Sequence, residues 1–230
     1  MTQPIITHRF RDRDYYFHDT VQAPDLIKEI FSDNYEVMKA VEGGTLSFSP
    51  SDVILDLGAN EGMFSIYMAG LFPQTRIVSL EPVPRTFYHL QANIKLNGCK
   101  NIEAYNVGVG KKGQHTVKMV INKVDASGGS SSLITYDPKG HDQIEVGLVS
   151  LDEAFDLYLI ERVKLLKIDV EGMEYDILYH TTMLPRVDYM VCEIHMNRKL
   201  EFESRRMDAL AVWISNQTKL LHADCIRMSE

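Results

Sequence analysis

The chain has 230 residues, of which 45% are hydrophobic and 24% charged, which is typical of one globular α/β domain with a full core. Its formal net charge of −8 at pH 7 argues against a surface built to bind nucleic-acid phosphates, because such a surface is basic. Residues 1–20 contain no apolar signal segment, no uncharged stretch is long enough to cross a bilayer, and Cys99, Cys192 and Cys225 form no C-x-x-C motif, so we expect a cytoplasmic protein with reduced cysteines that binds neither nucleic acid nor a membrane.

The N-terminal part of the chain predicts a hairpin followed by a helix. Charged and aromatic residues are mixed over 5–18, as in an edge strand or hairpin. Apolar residues recur at helical spacing over 25–41. We expect residues 1–45 to form an extension that packs on a main domain of residues 46–230.

The remainder of the chain alternates predicted strands and helices. Ser150 followed by Glu153 predicts a capping box at the start of one helix. In chain order, the predicted strands are 53–55, 77–80, 102–107, 116–121, 144–149, 163–168 and 187–194. The predicted helices are 62–72, 86–96, a short helix after 150, 173–179 and a long helix from about 201. This alternation is typical of an α/β fold with a mainly parallel sheet.

Several predicted strands run into acidic residues. Strand 53–55 is followed by Asp56, strand 77–80 by Glu81 and strand 163–168 by Asp169. The strand that begins at 187 runs into Glu193 and His195. Since the ligand crevice of an open parallel sheet lies at the carboxyl ends of its strands, we predict that these side chains share one site.

The loop DLGANEG, residues 56–62, indicates the kind of cofactor. Gly58 and Gly62 permit a tight turn and a close approach of a ligand to the backbone. Asn60 replaces the second glycine of the dinucleotide pattern G-x-G-x-x-G, and acids at this turn disfavour a pyrophosphate. S-adenosylmethionine has an ammonium group, a sulfonium group and two ribose hydroxyls but no phosphate, so it suits these acids better. Glu81 follows Asp56 at close to the separation, roughly 20 residues, expected of an acid that accepts ribose hydroxyls. We therefore predict S-adenosylmethionine as the cofactor.

Four motifs carry a family resemblance: ILDLGANEGMFS, SLEPVPRTFYHLQANIKLN, LLKIDVEGMEYDIL and VCEIH, in this order over residues 54–195. They resemble the FkbM family of S-adenosylmethionine-dependent methyltransferases. The resemblance implies a class I methyltransferase fold, which is a Rossmann-like, mainly parallel sheet with helices on both faces. It also implies O-methylation of a hydroxyl on a small molecule or sugar.

The same resemblance assigns cofactor-binding residues. Glu81 is implied to hold the ribose, and Asn106, after the third strand of the main domain, is implied to lie near the adenine. The residues implied to line the methionine and ribose side are Asp56, Gly58, Asn60, Gly62 and Ser65. Only one strand, around 223–228, is expected after the last long helix, so we expect the final antiparallel hairpin of this fold to be incomplete.

A hydroxyl acceptor must lose its proton to a general base or through coordination to a cation. Asp169, Glu193 and His195 end two strands that we expect to be neighbours. We predict that they act together on the acceptor, either as a catalytic base with orienting carboxylates or as ligands of a divalent cation such as Mg²⁺. Glu171 either serves this site or places negative charge at the start of the next helix. Glu174 is predicted to be a solvated helix residue.

Two other functions remain open from the sequence. A nicotinamide-dependent oxidoreductase would use the same kind of fold, but Asn60 within the turn and Asp56 ahead of it disfavour it. A non-catalytic, cofactor-binding partner subunit would keep both the fold and the cofactor. The absence of N-P-P-[YF] after strand 163–168 favours oxygen over nitrogen as the acceptor atom.

Overall fold

The computed structural model describes residues 4–33, 35–123, 137–196 and 207–227. Its centre is a six-stranded sheet in which every neighbouring pair is parallel. In spatial order the strands are β11 (Lys219–Arg227), β10 (Val187–Met196), β9 (Val163–Ile168), β3 (Val53–Leu57), β4 (Arg76–Leu80) and β5 (Ile102–Tyr105). The strand order reverses between β3 and β9, which is where ligand crevices form in such sheets. The predicted Rossmann-like α/β architecture is confirmed.

Two strands and two helices precede the central sheet. They are β1 (Ile5–Phe10), β2 (Arg13–His18), α1 (Ala23–Ile30) and α2 (Glu36–Glu42). β1 and β2 form an antiparallel hairpin, as predicted. The single helix predicted over 25–41 is two helices, because Ser32 and Asp33 lie between them and their side chains favour turns over helix. Apolar side chains of this N-terminal segment share one buried core with the main sheet.

Helices cover both faces of the central sheet. They are α3 (Met63–Leu71), α4 (Pro84–Leu96), α5 (Leu151–Leu157), α6 (Glu174–Leu178) and α7 (Met207–Ser215). The core on one face contains α3 and the N-terminal segment, and the core on the other contains α5, α6 and α7. The predicted capping box is present at α5, where Ser150 and Glu153 exchange hydrogen bonds. The predicted start of the last helix at 201 lies outside the described residues.

A separate three-stranded sheet is inserted between β5 and α5. Its strands are β6 (Gly108–Gly110), β7 (Thr116–Asn122) and β8 (His141–Ser150), and β8 pairs in parallel with β6 and antiparallel with β7. The predicted strand 102–107 therefore ends early, at Tyr105, because the chain leaves the central sheet to form β6. This inserted sheet contributes four apolar side chains to the crevice described below, namely Val109, Val117, Met119 and Leu148.

The last described strand, β11, pairs in parallel with β10, with a shift in register between Met190 and Val191. It corresponds to the strand predicted around 223–228 and begins earlier, at Lys219. Among the strands that the structure describes, the central sheet has no antiparallel member.

Two observations bear on the expectations from composition. No helix within the described ranges is both long and apolar enough to cross a membrane. Cys99 and Cys192 are free thiols, and burial raises the pKa of Cys192 well above its usual value. Cys192 is therefore an unreactive core residue.

Candidate active site

A crevice opens at the carboxyl ends of β3, β4 and β9, beside the reversal in strand order. One wall is polar and comes from the loops that follow these three strands. The opposite wall is apolar and comes from the inserted sheet. The polar side chains of the first wall that matter below are Asn60, Glu81, Asp169 and Glu171.

The loop between β3 and α3 contains three residues in the left-handed backbone region. Gly58, Asn60 and Gly62 have φ values of 77°, 51° and 89°. A Cβ at Gly58 would lie 1.7 Å from the carbonyl oxygen of Asp169, so only glycine lets this loop pass against the end of β9. Asparagine adopts this conformation more readily than most residues, which explains how Asn60 can stand where the dinucleotide pattern has its second glycine.

Glu81 follows β4, and its carboxylate is held by two backbone groups. The N–H of Asn60 donates to one oxygen at 2.9 Å and the N–H of Val83 to the other at 2.9 Å. Burial raises the pKa of Glu81 to about 7, although both hydrogen bonds act in the opposite direction. A carboxylate fixed in this way beside a glycine loop is suited to accept the hydroxyls of a ribose.

The two asparagines predicted for the cofactor site both contact Glu81. The side-chain oxygen of Asn60 is buried and, within the described part of the chain, has no hydrogen-bond partner. A buried acceptor of this kind needs a donor, which a ligand can supply. Asn106 is exposed, and its amide donates to the carbonyl oxygens of Glu81 at 2.8 Å and Pro82 at 3.0 Å. Asn106 therefore supports the edge of the crevice from outside.

Asp56 and Ser65 lie behind the glycine loop. Asp56 is paired in register with Ser79 on β4 and Lys167 on β9. Ser65, on α3, donates to Asp56 at 2.7 Å. Both residues are 0% exposed. Side chains alternate along β3, so Asp56 points to the face of the sheet that α3 covers, where Ser65 meets it. The structure thus places these two predicted residues beneath the loop and not in the crevice.

Lys167 is a functional candidate that the sequence patterns do not reveal. Its ammonium nitrogen lies 3.2 Å from Asp169 and 3.9 Å from Asp56. Burial lowers the pKa of Lys167, but the charges of Asp169 and Asp56, followed by smaller contributions from Tyr35 and Glu193, together raise it above its usual value. The available signal is a lysine within the apolar run of a buried strand, since a buried charge requires a partner. Lys167 therefore joins the base of the cofactor loop to the end of β9.

His195 is held in place by a buried carboxylate. His195 is 3% exposed and Glu174 is 0% exposed, and Nδ1 of His195 lies 2.8 Å from Oε1 of Glu174. The same oxygen accepts the N–H of Gly172 at 3.1 Å. The prediction that Glu174 is solvated is wrong, because its side chain reaches from the start of α6 to the end of β10.

Asp169 and Glu171 complete a cluster with His195. Nε2 of His195 lies 3.5 Å from Oε2 of Glu171, and one ligand atom from each of the three residues lies within 4.8 Å of the others. Burial lowers the pKa of His195, but the hydrogen bond and charge of Glu174, followed by the charge of Glu171, raise it to about 9. Burial raises the pKa of Glu171 to about 7. Asp169 and His195 therefore lie close together, with Glu171 as the third member of the cluster.

Glu193 lies outside this cluster. It lines a second cavity together with Glu29, Tyr35, Lys167 and Asp224. Burial, followed by the charge of Asp169, raises the pKa of Glu193 to about 7. The predicted group of Asp169, Glu193 and His195 is thus corrected. Glu171 takes the third place: its backbone, with a φ of 54°, lies in the turn after β9, and its carboxylate is 3.5 Å from Nε2 of His195.

The position of this crevice, at the reversal of a parallel sheet, is that of the cofactor site in Rossmann-like α/β proteins. The domain described as Methyltransferase FkbM domain matches residues 56–220. The chain belongs to the FkbM family of methyltransferases.

Two relatives and one solved structure are similar to this chain over part of their length. Methyltransferase 1 of Beauveria bassiana (strain ARSEF 2860) is 31% identical over 170 residues, which cover 66% of this chain and 64% of that relative. The chain thus spans less than two thirds of that protein. The 31-O-demethyl-FK506 methyltransferase FkbM of Streptomyces tacrolimicus is 26% identical over 200 residues, which cover 76% of this chain and 75% of that relative. The crystal structure of M. jannaschii TYW2 in complex with AdoMet has 14% identity and a TM-score of 0.30, covering 54% of this chain and 66% of that one.

Proposed function

We propose that this protein transfers a methyl group from S-adenosylmethionine to a hydroxyl oxygen of a small molecule or sugar. Membership of the FkbM family supports methyl transfer. The observation that carries the proposal is one shared crevice: Gly58, Asn60 and Glu81 line it together with Asp169 and Glu171. A donor and an acceptor that react directly must be held side by side, and holding them so supplies much of the rate.

The residues of the crevice fit this cofactor. Glu81 would accept the two ribose hydroxyls, and the buried oxygen of Asn60 would accept a hydrogen bond from the ammonium group. The apolar wall of Val109, Val117 and Met119 would pack against the adenine. Carboxylates line the opposite side, where a pyrophosphate would be repelled, so nothing here favours a nicotinamide cofactor. No observation favours a non-catalytic partner subunit either.

When bound, the cofactor would supply a methyl carbon to the hydroxyl oxygen: the carbon–sulfur bond would break with its electron pair left on sulfur, and the hydroxyl proton would pass to a carboxylate of the crevice and on to solvent. Asp169 and Glu171 would hold the acceptor by hydrogen bonds from its hydroxyl. Glu174 would fix the imidazole ring of His195, as it does in the structure. Asp169 and Glu171 are partly exposed to the crevice, whereas His195 behind them is buried and would keep water from that side of the acceptor.

Oxygen is the acceptor atom that the chain favours. Asp169 is followed by Val170-Glu171-Gly172, which is unlike the N-P-P-[YF] typical of amino-group methylation. The Streptomyces relative is named for a 31-O-demethyl substrate, which supports the same choice. The test is mass spectrometry of reactions with S-adenosylmethionine and a panel of sugars, polyketide-like alcohols and matched amines. We expect a methylated alcohol, and methylation of amines alone would contradict the proposal.

The affinity for S-adenosylhomocysteine, the product form of the cofactor, should depend on pH through Glu81. Its pKa is raised to about 7, so the carboxyl group is protonated below that pH and accepts ribose hydroxyls poorly. We expect binding to weaken by about tenfold for each pH unit below 7, because one pKa unit is a tenfold change in ionised fraction. Isothermal titration calorimetry at several pH values measures this.

The matched control for this measurement is Glu81→Gln. That variant should bind S-adenosylhomocysteine more weakly than the wild type above pH 7, and its affinity should lack the pH dependence seen in the wild type, so the two affinities converge at low pH. If the wild-type affinity stays constant between pH 6 and pH 8, the assignment of Glu81 to the ribose is contradicted. NAD, titrated in the same way, should give no heat of binding.

A further inference from the structure

We propose that Asp169, Glu171 and His195 bind one divalent cation, Mg²⁺ or Mn²⁺. The cluster offers two carboxylates and one imidazole, and the selected ligand atoms lie within 4.8 Å of one another. Ligands held at about 2.0–2.1 Å in an octahedron are separated by about 3–4 Å, so small side-chain rotations close the site. Carboxylates favour Mg²⁺ and Mn²⁺ over softer metals, and no cysteine belongs to the cluster.

The way in which His195 is held supports this site independently of its acidic members. A metal-binding histidine nearly always donates its other ring N–H to a carboxylate or carbonyl, which fixes the ring. Nδ1 of His195 is 2.8 Å from Glu174, so Nε2 is the nitrogen directed towards Glu171, at 3.5 Å. The ring is 3% exposed. A buried imidazole that is oriented from behind therefore presents one nitrogen to two carboxylates.

The buried carboxylate behind the ring is itself fixed. Glu174 accepts the N–H groups of Val170 at 3.3 Å and Gly172 at 3.1 Å. These two residues flank Glu171 in the chain, so the same hydrogen bonds that hold Glu174 also set the loop that carries Glu171. One network thus positions two of the three proposed ligands, which is the arrangement that a metal site requires.

The distribution of charge also favours a cation. Asp169, Glu171 and Glu174 surround a single imidazole, and the ammonium of Lys167 lies 3.2 Å from one oxygen of Asp169. Lys167 is shared with Asp56, which lies 3.9 Å away. One imidazole and one shared ammonium therefore face three carboxylates, and a divalent cation would balance this excess of negative charge.

The role of the cation rests on the proposed function. A hydroxyl coordinated by a divalent cation loses its proton to solvent more readily and then attacks the methyl carbon as an alkoxide. Binding of the cation itself does not depend on that reaction, so the two are tested separately.

The experiment is a titration of Mn²⁺ into the EDTA-treated 230-residue chain, followed by calorimetry and by electron paramagnetic resonance of free Mn²⁺. We expect one Mn²⁺ per chain, displaced by excess Mg²⁺. Glu171→Gln and Asp169→Asn should each weaken binding by about tenfold or more, and Glu174→Gln by about 10–100-fold through loss of the oriented imidazole.

Glu193→Gln is the matched control, because Glu193 is a partly buried carboxylate near Asp169 but lies in the second cavity. It should leave Mn²⁺ binding unchanged. No saturable binding to the wild type, or an equal loss in Glu193→Gln and Glu171→Gln, would overturn the proposal. S-adenosylhomocysteine is titrated into the same samples. If the wild type binds S-adenosylhomocysteine but not Mn²⁺, only the cation site is rejected. If the wild type binds neither, the proposed function is rejected as well. Circular dichroism confirms that each variant is folded.

Discussion

Glu174→Ala is expected to lower the free energy of unfolding by about 3–5 kcal/mol, the range for removing one partner of a buried charged pair. Glu174 is 0% exposed. Its carboxylate accepts from His195 and from the backbone of Gly172. Alanine leaves these donors buried without an acceptor and creates a cavity beside them. Urea denaturation followed by circular dichroism measures the change.

Glu161→Ala provides the control, since Glu161 is an exposed carboxylate just ahead of β9. Its effect should stay within about 0.5 kcal/mol. An equally small effect of Glu174→Ala would show that the network around His195 contributes little to stability, and would also weaken the argument for an oriented imidazole.

Lys167→Met is expected to destabilise the fold by a similar amount, about 3–5 kcal/mol. Methionine keeps much of the length of the side chain but removes the charge that compensates Asp56, which is 0% exposed. Burial raises the pKa of Asp56, so the folded variant takes up a proton more readily than the unfolded chain does. Its deficit relative to the wild type should therefore shrink as the pH is lowered and grow as it rises.

The double variant Lys167→Met/Asp56→Asn tests whether the two charges act as a pair. Without a carboxylate to leave unpaired, it should recover a large part of the loss caused by Lys167→Met alone. Thermal or urea unfolding of the wild type, both single variants and the double variant gives the coupling energy. Simple additivity of the two single effects would mean that Lys167 and Asp56 do not stabilise each other.

The sequence predicts where the site lies better than it predicts which way each side chain points. Glu81 and Asp169 follow strands whose apolar runs are plain, and both line the crevice. Asp56 also belongs to a strand, but β3 continues to Leu57, so Asp56 lies within the alternating part and faces α3. A strand that ends two residues later than expected turns a predicted ligand into a buried support.

The remaining differences arise from contacts that are distant in the chain. Lys167 meets Asp56 only because β3 and β9 pair in that register. Glu174 is buried only because β10 returns beside α6 and brings His195 to it. The spacing of apolar residues describes one helix or strand at a time, so an acidic residue on a helix is predicted to be exposed unless the element that packs against it is known. The inserted sheet is a similar case, because β6 finds its partner β8 far along the chain.

The two walls of the crevice have separate origins in the chain. The polar wall comes from loops that are tied to the central parallel strands, where Gly58 packs against Asp169 and tolerates no change. The apolar wall comes from the inserted sheet, whose pairing β6–β8–β7 is complete without the central strands. Substitution of Val117 or Met119 would alter the shape of the crevice and leave its polar groups in place. The shape of the pocket and its polar chemistry can therefore be changed independently of each other by substitution.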